Sequence, residues 1–174
     1  MRFHPPLRNL ALVAACALAL GARASAGELP RLEADSMGGT HVVLPNDATG
    51  KPLVLLLAYT KEAESDMKSW SSKLLNQHGA GNADVFVVVV ADKTAFFARS
   101  RVRKLVAGAS AGNTATMNSN VLITFNGNGW RDLVPPGDKH AAGVVVCDGG
   151  GNIVYAKREA YNAENLADVE KAAK

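Results

Sequence analysis

Cysteine is almost absent from this chain. Its 174 residues hold two, Cys16 and Cys147, and the first lies in a leading segment that reads as removable. A chain left with Cys147 alone cannot close an internal disulfide. Nor can it run a dithiol–disulfide cycle by itself, since that cycle needs an attacking and a resolving thiol. Aromatic residues make up only 6% of the chain. No apolar run is long enough to cross a membrane as a helix; the one from Leu10 to Leu20 spans 11 residues, where about 20 are needed.

That short run has a different reading. Arg2 and Arg8 precede it and Ala22-Arg23-Ala24-Ser25-Ala26 follow it, which is the pattern of an export signal cleaved after Ala26. An alternative cut in Val13-Ala14-Ala15-Cys16 would make Cys16 a lipid-bearing first residue. Cleavage after Ala26 leaves 148 residues, 27–174, enough for one domain with a sizeable core. It also removes Arg2, Arg8 and Arg23, so the 19 basic residues become 16 against 16 acidic ones. The exported chain is then formally neutral, and nothing global favours nucleic acid or an anionic membrane as partner.

What is present is an alternation of apolar runs and amphipathic stretches. Thr40 to Pro45 predicts a brief strand and Asn46 to Gly50 a turn. Leu53 to Leu57 is a continuous apolar run, the mark of a strand covered on both faces. Ala63, Met67, Trp70 and Leu74 repeat at intervals of four, three and four, giving a helix with one apolar stripe. Thr60 is placed to cap it, and Glu64 and Lys68 form an i,i+4 pair. Val85 to Ala91 predicts a second strand buried on both faces. Thr94 to Val106 predicts a helix with Ala95, Ala98, Val102 and Leu105 inward, Arg99 and Arg103 outward, and Gly108 as its stop. Residues 107–120 read as a loop with little to bury. Three further strands are predicted at Val121 to Phe125, Gly143 to Cys147 and Ile153 to Ala156. Asn126 to Gly129 and Asp148 to Asn152 read as tight turns between strands. Asn162 to Lys174 closes the chain as a short helix carrying Leu166, Val169 and Ala173.

This order predicts an α/β fold with a mixed central sheet and helices on both faces. The segments HVVLPNDATGKPLVLLLAY and GVVVCDGGGNIVYAKRE resemble the thioredoxin-like superfamily, in its peroxiredoxin-like and cytochrome-maturation-like branch. The first resembles the strand that leads into that family's active-site turn, the second its final hairpin before the last helix. The acidic helix start with no cysteine is similar to bacterial relatives of a mitochondrial ATP synthase assembly factor. The resemblance implies a three-layer sandwich with a C-terminal β-hairpin and helix. It also implies a Cys-x-x-Cys where Glu62, Ala63, Glu64 and Ser65 stand, and a cis-proline where His140-Ala141 stands.

Both departures remove thiol chemistry and leave the scaffold. The expected function is that of a redox-inactive exported protein that binds another protein or peptide in the cell envelope. Its candidate surface is Thr60, Glu62, Glu64, Ser65 and His140, beside Asp138. The rival is a one-cysteine peroxidase or thiol-transfer enzyme using Cys147, but a reactive thiol needs exposure and a lowered pKa. Cys147 follows three valines, which suits a buried, inert thiol. Glu62, Glu64 and Asp66 are explained as a solvated helix start. His41, His78 and His140 are too widely spaced for a metal site, so neither a metal nor a cofactor is expected. Glycine clusters that join strands are turns, not phosphate cradles. Phe96, Phe97, Arg99, Arg101, Arg103 and Lys104 mix aromatic and basic residues, and read as a solvated face able to contact an acidic protein partner.

Overall fold

The computed structural model describes residues 27–48, 50–76, 83–109 and 119–174. The export signal, Cys16 and His78 therefore lie outside the described residues, as does most of the 107–120 loop. Seven strands form one mixed sheet in the order β2-β1-β5-β4-β3-β6-β7. They are β1 Leu32–Ser36, β2 His41–Leu44, β3 Leu53–Ala58, β4 Asp84–Val90, β5 Val121–Thr124, β6 Ala142–Cys147 and β7 Ile153–Glu159. The helices are α1 Glu64–Asn76, α2 Arg99–Ala109 and α3 Ala163–Ala172. β3, β4 and β5 run parallel, and β6 joins β3 antiparallel with Leu53 opposite Cys147. The expected α/β architecture with its C-terminal hairpin and helix is present.

β3 sits near the middle of the sheet because all five residues from Leu53 to Leu57 are apolar and each is at most 2% exposed. Alternation along the strand divides them between two cores. Val54 and Leu56 face Met67, Trp70 and Leu74 of α1 and Val169 of α3. Leu53, Leu55 and Leu57 face Leu29, β1, β2, and Trp130, Leu133 and Val134 of the segment joining β5 to β6. The stripe Ala63-Met67-Trp70-Leu74 is buried throughout. Trp70 is its centre: its indole donates to the Glu159 carbonyl at 3.4 Å and meets Tyr161 edge to face at 5.4 Å. The β6–β7 connection is the expected turn, with Asp148 accepting from the Gly150 and Asn152 amides and Gly151 at a φ of 85°.

Several expectations are corrected. Gly27 to Ser36, a short segment of mixed composition for which no strand is predicted above, contains β1, whose alternating Leu32 and Ala34 are too few to show a period beside Glu33 and Asp35. β4 reaches both cores, Val85 on one face and Val88 and Val90 on the other, but less completely than expected, with Phe86, Val87 and Val89 only partly buried. Asn126 to Gly129 is no hairpin turn, since β5 and β6 are separated by β4 and β3. It opens the long crossover instead. The second helix starts late, after a 3₁₀ turn at Phe96–Ala98, and this rotates its faces. Ala95 is exposed and Leu105 is 67% exposed, while Arg99 packs inward over the Phe125 ring. α2 also continues through Gly108 to Ala109.

Replacing Trp70 with alanine empties the space between α1, β7 and Tyr161. An unfolding free energy lower by about 3–5 kcal/mol is expected, read from urea denaturation followed by circular dichroism.

Candidate functional site

The helix start after β3 is built from three pieces of chain. β3 ends at Ala58, Tyr59 and Thr60 follow, a 3₁₀ turn takes Lys61–Ala63, and α1 begins at Glu64. Thr60 has the extended backbone of a cap, but its side chain does not cap the helix. Its hydroxyl donates instead to the Lys139 carbonyl at 2.6 Å, and so pins the end of the crossover to the helix start. Asp138 turns that end, accepting the His140 amide at 2.9 Å. The Lys139 ammonium lies 3.9 Å from the Glu62 carboxylate. Thr60, Glu62 and His140 are therefore brought together, and Ser65 lies exposed one turn further on. Glu64 points elsewhere, paired with Lys68 at 2.9 Å.

Glu62 accepts its own backbone amide, and with Lys139, Thr60 and His140 nearby its carboxyl is held below the usual glutamate range. Glu64 is likewise lowered by its hydrogen bond to Lys68. The residue preceding β6 is Ala141, and the cis peptide bond among the described residues is Leu44–Pro45. No proline therefore stands immediately before β6.

Two supports were not legible in the sequence. Asp66, read as part of a solvated acidic start, accepts the Ala142 amide at 2.8 Å and the Tyr161 amide at 2.7 Å. It ties α1 to the first residue of β6 and to the lead-in of α3. Tyr59 supports the crossover from beneath. Its hydroxyl donates to the Trp130 carbonyl at 2.7 Å, with the Arg158 guanidinium 4.5 Å from its ring centroid. Burial pushes that hydroxyl well above the usual tyrosine range. Arg131 of the crossover is held in turn by both oxygens of Asp92. Gly143 lets β6 pass close, since a Cβ there would stand 3.0 Å from Val134 and 3.1 Å from Tyr59. Chain neighbours gave no hint of these contacts; Asp66 and Tyr161 lie far apart in sequence.

The thiol is nowhere near this surface. Cys147 is fully buried at the far end of β6, within the core that Leu53 and Leu55 share. Burial, with Asp148 adjacent, pushes its thiol up to about 12. Such a group is a hydrophobe and not a nucleophile. His41 pairs with Asp35 at 3.1 Å, far from His140 in the fold. Among the described residues no three His, Cys, Asp or Glu side chains gather as a metal site, and no helix is long and apolar enough to cross a membrane.

A mixed sheet with the α1 stripe on one face and a terminal hairpin followed by a helix is the thioredoxin-like fold. Solved structures agree. The chain superposes on a protein assigned as thiol:disulfide interchange protein DsbE from Chlorobium tepidum with a TM-score of 0.58, at 14% identity over 84% of this chain and 93% of that one. The exposed lipoprotein thioredoxin Etrx1 of Streptococcus pneumoniae gives 0.59 at 16% identity, covering 81% and 98%. StoA of Bacillus subtilis gives 0.56 at 12%, covering 84% and 98%. No protein-family model matches the chain, and no curated protein does.

Two outcomes are expected. Replacing Asp66 with alanine leaves two partly buried amides without an acceptor and should cost about 2–4 kcal/mol of stability, measured by urea unfolding. The Cys147 thiol, raised in the folded state, contributes stability that is complete below its unfolded value near pH 9 and is lost as pH rises towards about 12. Stability should therefore fall through that window by up to about 1.4 kcal/mol per pH unit more in the native sequence than in Cys147→Ala, read from paired denaturation curves.

Proposed function

We propose that this chain is an exported, redox-inactive thioredoxin-like protein that binds a protein or peptide of the cell envelope. One observation carries the reading: the helix start after β3 presents Glu62 and Ser65 where the resemblance calls for thiols, and Cys147 is sealed in the core. A dithiol enzyme without accessible thiols has no electrons to exchange. What remains is a surface, made of the Glu62 carboxylate, the Ser65 hydroxyl, the His140 ring and the Lys139 ammonium, built on three elements that Thr60 and Asp66 lock together. The Glu62 carboxylate suits recognition of an extended segment bearing donors of its own. Export is supported by the leading Arg2 to Ala26 pattern, and the neighbour Etrx1 is itself described as an exposed lipoprotein.

The purified 27–174 chain should not accelerate insulin reduction beyond dithiothreitol alone, and Cys147 should react with a thiol reagent only after denaturation. Fast labelling of the native protein at neutral pH would return the one-cysteine enzyme to first place. For the binding surface, a photo-crosslinking residue at Ser65 should capture an envelope protein that the same residue at Val154, exposed on β7, does not. Adding Glu62→Ala and His140→Ala together should abolish that product. Equal capture from both positions would reject the site.

A further inference from the structure

A second surface lies away from the helix start, where α2 crosses the β1 and β5 end of the sheet. It is a groove of about 990 Å³. Its walls come from Arg31 to Asp35 of the β1 region, from Phe96 to Arg103, and from the chain after β5. Charges along it are matched with one exception. Arg31 pairs with Glu33 at 3.0 Å, and Arg103 pairs with Asp35 at 2.9 Å, where His41 also reaches. Arg99 meets no carboxylate among the described residues. Its guanidinium lies against two rings, 5.0 Å from the Phe125 centroid and 5.5 Å from that of Phe96, and its Nε is buried with no hydrogen-bond acceptor.

A guanidinium lying on aromatic faces and unpaired with any carboxylate among the described residues can take one end-on, with two parallel hydrogen bonds from its Nη atoms; the buried Nε lies out of a ligand's reach. Beside it Phe96 is 83% and Phe97 88% exposed. Adjacent phenylalanines left in water at the mouth of a groove are the apolar half of a recognition surface. The helix that carries the groove adds charge of one sign only, with Arg99, Arg101, Arg103 and Lys104 and no acidic residue. A concave site whose walls carry paired charges suits a peptide segment better than a flat lipid surface.

We propose that this groove docks an acidic, apolar-containing peptide segment of a partner protein, with an Asp or Glu carboxylate on Arg99 and an apolar side chain against Phe96 and Phe97. The proposal rests on the reading of the chain as a binding protein and is independent of the surface at Glu62 and His140.

The test is fluorescence anisotropy with the 27–174 chain and two sets of labelled synthetic peptides. One set alternates Glu or Asp with Leu or Phe; the other carries Gln or Asn at the acidic positions. The acidic set should bind at least about tenfold more tightly, and the difference should shrink as salt is raised. Arg99→Gln should erase the preference for acidic peptides. Phe97→Ser, at a position with little to lose on folding, should weaken both sets alike. Glu62→Ala with His140→Ala should leave this binding unchanged. Equal affinity for the two sets, or full acidic preference in folded Arg99→Gln protein, overturns the proposal. So does binding to phosphatidylglycerol vesicles, but not to peptides, that Phe97→Ser removes. In the crosslinking experiment at Ser65, capture that persists in the Arg99→Gln and Phe97→Ser variants while peptide preference is absent rejects the groove and keeps the binding function.

Discussion

One carboxylate sets the geometry on which the rest of the helix start depends. Asp66 spends its two oxygens on backbone amides from two other parts of the chain, Ala142 at the head of β6 and Tyr161 before α3. The two bonds help fix where β6 begins and where α3 is aimed. Trp70, one turn on, reaches the same region through the Glu159 carbonyl and the Tyr161 ring. Helix α1 is thus a beam fastened at two points to the hairpin end of the molecule. The residues from Thr60 to Ser65 inherit a defined position from it, and Thr60 adds its own tie to the Lys139 carbonyl.

The scaffold was legible where burial imposes a period. Leu53 to Leu57 and the stripe through Trp70 have no polar interruption, so the placement of β3 between two cores and of α1 on one of them follows from the pattern alone. The hairpin at Asp148 to Asn152 was equally plain, because its turn needs Asp, Gly and Asn for reasons local to the turn. β1 was missed because an alternation of two apolar residues cannot announce itself. The second helix was mis-phased for a related reason: a 3₁₀ turn at Phe96–Ala98 winds three residues per turn, and any stripe carried across it by a 3.6-residue rule points the wrong way.

The candidate site was legible only in part. Glu62 to Ser65 could be placed at a helix start, and His140 could be placed near it, but the joints were hidden. Thr60 was expected to cap and instead holds the crossover; Asp66 was expected to be solvated and is structural. These contacts join residues more than 70 positions apart, and a single sequence carries no local sign of them. Charge was misread in the same way at Arg99, since a cation lying on an aromatic ring is written in the sequence no differently from one standing in water.

The Glu62 carboxylate has a further meaning. A thiol at a helix start is charged or neutral according to whether it has lost a proton and whether it has been oxidised, so the surface around it reports the supply of electrons. A carboxylate held below its ordinary range by its own amide and by Lys139 stays an anion at any physiological pH. It is also indifferent to oxidants. The carboxylate therefore carries the same charge in every redox climate, as a thiol in its place would not.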